Sequence, residues 1–217
     1  MTTFEDMIEA AIGLTKSGLE NFPPEILARM PRPEPTFAPE PYLTARPRLL
    51  LYVPELPSYD EFPRIGERHP EEMALNAMLR RGMFYDHVEL QGATALAAAD
   101  ALCAAFGLPD IHHIAIAPLL RVPRSMSEDL PKLAAWQRDF LALERDHLRP
   151  DAILLLDDGA APLLPEVWPA LRGRAAGRAG RTSEIGCPVV VLHSSAGSYA
   201  RASLEEAASA LREILES

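Results

Sequence analysis

The chain has 217 residues, 48% of them apolar and 24% charged, with a formal net charge of −10. That length supports one domain with a large core plus an appendage, and the composition is that of a soluble globular protein. The acidic balance counts against nonspecific nucleic-acid binding, no apolar run is long enough to span a bilayer, and two cysteines make neither a disulfide framework nor a cysteine-rich metal site.

Glu5, Asp6 and Glu9 stand where a secretory signal would carry basic residues, so a reduced, cytoplasmic setting is the expectation. Phe4, Met7, Ile8, Ala11 and Ile12 recur at helical spacing and predict an amphipathic helix over residues 3–19, within an N-terminal unit of residues 1–20. From Pro23 to Pro47 there are eight prolines, which predict a stiff, extended connector over residues 21–47. The helix then either folds back as a cover or serves as a tethered arm for a protein partner.

From residue 48 to 217 the pattern changes to apolar runs alternating with helical segments. Leu49 to Val53 is an unbroken apolar run, the mark of a strand buried on both faces, and Pro54 and Pro57 end it. Glu55 falls just past its carboxyl end, the side on which open parallel sheets bind ligands. Helices are predicted over residues 71–81 and 92–106, the second closed by Gly107 and Pro109. A strand over 111–118 and an amphipathic helix over 127–149 follow, the helix carrying Leu133, Trp136, Phe140 and Leu143 on one stripe. Residues 152–156 form a third strand, followed by Asp157 and Asp158, for which a helix N-cap is the favoured role. After an arginine–glycine segment comes a fourth strand over 188–192, followed by His193, Ser194 and Ser195. The last helix opens on Ser203-Leu-Glu-Glu206, a capping-box pattern. Strands alternating with helices predict a three-layer α/β/α sandwich around a four-stranded parallel sheet.

Several chemistries leave no trace. There is no phosphate-binding glycine loop, no dinucleotide fingerprint and no nucleophile elbow, and the six histidines lack metal-ligand spacing. His112 and His113 fall at the start of a strand, on the edge away from ligands, and read as structural. Arg121, Arg124, Arg172, Arg174, Arg178, Arg181 and Arg201 all follow carboxyl ends of strands. They form either a basic rim around a site or a solvated loop.

With the strands placed, Leu51-Tyr-Val-Pro-Glu-Leu-Pro-Ser-Tyr-Asp-Glu61 resembles the first motif of the uracil-DNA glycosylase superfamily, especially its bacterial and archaeal iron–sulfur branch. Glu55, Pro57, Asp60 and Glu61 match, while Pro54 and Ser58 replace two glycines. The helix from Gly92 to Leu108 is similar to the one after the family's uracil-stacking phenylalanine. Leu148-Arg-Pro-Asp-Ala-Ile-Leu-Leu-Leu156 resembles its junction into the third strand. Leu171-Arg-Gly-Arg174 and Pro188-Val-Val-Val-Leu-His193 are similar to its last segments. The likeness runs in order over about residues 46–215.

The resemblance implies a uracil-DNA-glycosylase-like fold and a role in DNA repair or handling, with Glu55 directing water and His193 stabilising the departing base. It sets the substrate against Pro57, Gly92, Ala117, Pro118, Ser194, Ser195, Arg172 and Arg174. DNA contact would come through a local basic rim. The branch's four cluster cysteines have no counterparts, so neither a cluster nor any other cofactor or metal is implied. The stacking phenylalanine is replaced by Leu90 or Gln91, and the base-reading asparagine by Ala117-Pro118. Those losses, with the acidic charge, leave a second expectation: an inactive module that keeps this fold for protein contacts, as the psi subunit of the bacterial clamp loader does.

Overall fold

In the computed structural model the described residues are 9–10, 12–14, 22–28, 38–53, 94–119, 128–157, 180–181, 186–193 and 199–217. The expected apolar runs form strands β1 (Leu49–Val53), β2 (Ile114–Pro118), β3 (Ala152–Asp157) and, after a short β4 (Gly180–Arg181), β5 (Pro188–His193). Their order across the sheet is β2-β1-β3-β5-β4. The first four run parallel, with Leu50 opposite both Ala115 and Ile153, and Leu155 opposite Val191. β4 adds a two-residue antiparallel edge, Gly180 opposite Val189 and Arg181 opposite Pro188. The four-stranded parallel sheet is present as expected, and the arginine–glycine segment supplies a fifth strand that its composition does not announce.

Helix α3 (Thr94–Phe106) lies in the crossover from β1 to β2, and α4 (Leu130–Leu148) in the one from β2 to β3. These crossovers travel in opposite directions across the sheet, so right-handed connections put the two helices on opposite faces. Leu133, Trp136, Phe140 and Leu141 of α4 pack on Leu50, Tyr52, Ile153 and Val191. On the other face Leu102 of α3 and Leu204 and Leu211 of α5 (Arg201–Glu216) pack on Leu49, Leu51, Leu154 and Val190. Burial on both faces is why these strands read as continuous apolar runs.

Helix ends follow local chemistry. Gly107, at φ 64°, closes α3, and the Leu108 N–H reaches back to the Cys103 carbonyl at 3.0 Å. α4 takes Pro131 in its first turn, where a missing N–H costs nothing, and ends at Arg149 in the left-handed region at φ 48°. The capping box expected at Ser203 does not form. α5 starts three residues earlier, with Ala200 at the N-cap, making no side-chain cap bond, and Ser203 inside the first turn. Alanine and arginine propagate a helix well, and Arg201 bonds Glu205 one turn on at 2.8 Å.

Residues 21–47 also depart from the extended connector. Among their described residues are two short helices, α1 (Pro24–Leu27) and α2 (Glu40–Thr44), each with proline in its first turn. Ile26 and Tyr42 are fully buried in the α4-side core, and the Tyr42 hydroxyl donates to the Leu148 carbonyl at 3.1 Å. Proline fixes φ near the helical value, so a proline-rich segment starts a helix readily where an apolar residue can anchor it. A boundary drawn at residue 48 therefore separates Ile26 and Tyr42 from the core they complete. Residues 9–10 and 12–14 are helical, Leu14 packs against that core, and the Trp136 indole N–H donates to the Leu14 carbonyl at 3.1 Å. Phe22 meets Trp136 edge-on at 6.0 Å. The helix predicted over 71–81 lies outside the described residues.

Candidate active site

The strand order reverses between β1 and β3, and the crevice beyond the carboxyl ends of strands at such a reversal is where α/β sheets bind ligands. β3 ends there on Asp157 and β5 ends beside it on His193, the two residues opposite each other in register. On β3, Ile153 and Leu155 face α4, and on β5 Val189 and Val191 do the same. The two-residue alternation of a strand therefore places Asp157 and His193 on the α4 side, one rung beyond Leu155 and Val191.

Their burial differs. Asp157 has no exposed surface, while 24% of the His193 side chain is exposed. Nδ1 of His193 lies 2.7 Å from Oδ2 of Asp157. An ionised carboxylate only accepts hydrogen bonds, so with Asp157 ionised Nδ1–H is the donor and the neutral ring keeps its lone pair on Nε2. The carboxylate also balances the charge that the ring gains whenever Nε2 takes a proton.

Asp157, expected just after the third strand, is the last residue of β3, and its side chain reaches across to His193 on the neighbouring strand. The cap expected of Asp157 and Asp158 turns on residues that lie outside the described ones. The signal was present in the pattern, since two apolar runs each end on a titratable residue. Only the adjacency of β3 and β5 turns that into a pair.

Among the other expected site residues, Ala117 is fully buried in the α4-side layer, opposite Tyr52, and offers no surface to a ligand. Pro118 is buried at the end of β2, opposite Val53. It stands two strand spacings from Asp157, roughly 10 Å. Of the rim arginines, Arg201 opens α5 and is paired with Glu205. Glu55, Pro57, Gly92, Arg172, Arg174, Ser194 and Ser195 lie outside the described residues; in sequence, Glu55 follows the end of β1 by two residues and Ser194 follows His193 directly.

The same face carries a second buried carboxylate. Glu144 of α4 has no exposed surface and accepts a hydrogen bond from the Tyr52 hydroxyl at 3.5 Å. Among the described residues no group of three His, Cys, Asp or Glu side chains is arranged to hold a metal. Burial pushes both thiols up to about 11, so Cys103 and Cys187 are poor nucleophiles at neutral pH. A groove of about 250 Å³ between α3 and α5, lined by Ala97, Ala101, Tyr199 and Leu204, shares no residue with the Asp157–His193 pair. No family model, curated protein or solved structure matches the chain.

Proposed function

We propose that the chain is a divergent uracil-DNA-glycosylase-like hydrolase that cleaves the N-glycosidic bond of a damaged or deaminated base in DNA. The observation that supports this most is His193, at the carboxyl end of a parallel strand and anchored by a buried carboxylate. A buried carboxylate is costly unless paired, and pairs of this kind cluster where a proton or a developing charge must be handled.

Breaking an N-glycosidic bond requires water delivered to the sugar carbon and a means of accommodating charge on the leaving base. Glu55 and His193 are the two side chains the reading assigns to these tasks. The base must first leave the stack, which a single-stranded or mispaired position makes easier. The residues that read uracil in the family have no counterparts here, so preference for another base is part of the proposal. Phosphate contacts would be local, through Arg172 and Arg174, and the reading calls for no metal or cofactor.

The test is an alkaline strand-cleavage assay for abasic sites on oligonucleotides carrying uracil, hypoxanthine or xanthine, single- and double-stranded. Abasic-site formation is expected, with Glu55→Ala and His193→Ala each slowing it by about 10²- to 10⁴-fold, the usual contribution of a positioned acid or base. Folded protein that acts on none of these substrates overturns the reading and leaves the fold as a module for protein contacts.

A further inference from the structure

The role that the resemblance gives His193 is to stabilise charge on the departing base, which requires a hydrogen at the nitrogen facing that base. The Asp157 contact constrains which nitrogen that is. Nδ1 is committed to Oδ2 at 2.7 Å, from a carboxylate that is itself wholly buried and anchored at the end of β3. Beside an ionised Asp157 the hydrogen of the neutral ring sits on Nδ1, and Nε2 presents a lone pair. Such a nitrogen accepts a proton; it does not donate one.

We propose that Asp157 is a positioning residue that holds His193 as the Nδ1–H tautomer, making Nε2 the general base for the attacking water. This rests on the N-glycosidic reading above. The step balances without any further reactant. Water gives a proton to Nε2 and its oxygen bonds to the sugar carbon. The bond from that carbon to the base nitrogen breaks, and its electron pair leaves with the base. The proton on Nε2 then passes to the base or to solvent, restoring the ring. Asp157 keeps its negative charge throughout and offsets the charge on the ring between the two transfers. Among the described residues Asp157 is the charged group in contact with the ring.

Two measurements on the full chain test this. Long-range proton–nitrogen NMR of histidine-labelled protein reads the tautomer directly and needs no variant. Nδ1 protonated and Nε2 bare in the neutral ring is the expected result, and a ring protonated on Nε2 overturns the inference whether or not the protein hydrolyses anything. The second is the pH–rate profile on an oligonucleotide that is cleaved. Wild type should lose activity on the acid side, as Nε2 takes a proton. Asp157→Asn, which is nearly isosteric, should lower kcat by about 10²- to 10⁴-fold with KM little changed, and should displace the acid limb. An Asp157→Asn protein with wild-type kcat and an unmoved acid limb overturns the inference while leaving the glycosylase reading standing. Failure to cleave any substrate overturns that reading, and the base role with it, even if the tautomer is as expected.

Discussion

At each edge of the sheet an aspartate is bonded to Nδ1 of a histidine, but the two pairs are built in opposite ways. At the amino edge Asp110 caps the turn Ile111–His113 that leads into β2. Its Oδ1 accepts from the His112 N–H at 3.0 Å and lies 2.9 Å from His113 Nδ1. Partners two and three residues away come together in any such turn, and the Asp110 side chain is 55% exposed. At the carboxyl edge Asp157 is wholly buried, and its partner is 36 residues away on another strand. That pair exists only while β3 and β5 hold their register. A local, solvated pair is a turn device; a buried, cross-strand pair of the same residue types has a desolvation cost that points to a task.

The contrast can be broken first through stability. His193→Ala leaves the buried Asp157 carboxylate without its ring partner and should cost about 3 kcal/mol, the scale for breaking a buried pair. His113→Ala should cost less than about 1 kcal/mol, as an exposed pair does. Urea denaturation at pH 7 compares them, and equal losses would remove the distinction between the two edges.

Asp110→Asn tests the local pair more finely. Slight burial pushes the Asp110 carboxyl up, but the hydrogen bonds from the His113 ring and His112 N–H, with the charge of both rings, hold it below the usual carboxylate range. A group whose pKa is lowered on folding adds stability above its unfolded value and loses it as pH falls through the folded one. Wild type should therefore exceed the variant by about 1 kcal/mol near neutrality, the scale of a lost cap. The two should converge below about pH 4, near the unfolded carboxyl value. A constant difference down to pH 2 would show that the ionised carboxylate contributes nothing.

The smallest expected effect concerns Cys103, whose thiol is raised to about 11 by burial and then by the charges of Asp100 and Asp110. Thiol labelling at pH 8 should be slow in the native chain and fast in denaturant. Asp100→Asn should speed the native reaction, and Asp110→Asn should do so by a smaller factor, less than about threefold for a screened charge. The reverse order would mean that Asp110 is closer to the thiol, in its effect, than its place in the turn allows.

The parallel strands were legible because a strand covered on both faces has no polar alternation, and Leu49 to Val53 and Pro188 to Leu192 show none. Gly107 marked the end of α3 because only a left-handed residue closes that motif cheaply. Three features were not legible, each for a physical reason. Proline density hid Ile26 and Tyr42, whose burial depends on α4 lying over them. Ser203 had the residues of a capping box, but a helix that propagates well from Arg201 overrode it. The pairing of Asp157 with His193 was hidden because it is set by strand order, β3 beside β5, which no local pattern encodes. His193 was found from its place at a strand end; what holds it was not.

The measurement that bears most directly on the central claim is abasic-site formation by wild type, His193→Gln and His113→Gln on one oligonucleotide series. Cleavage by wild type and by His113→Gln, with that of His193→Gln reduced by about 10²-fold or more, is the predicted result. Equal activity of the two variants would contradict it, by showing that the buried pair at the carboxyl edge does no more in the reaction than the exposed pair at the amino edge.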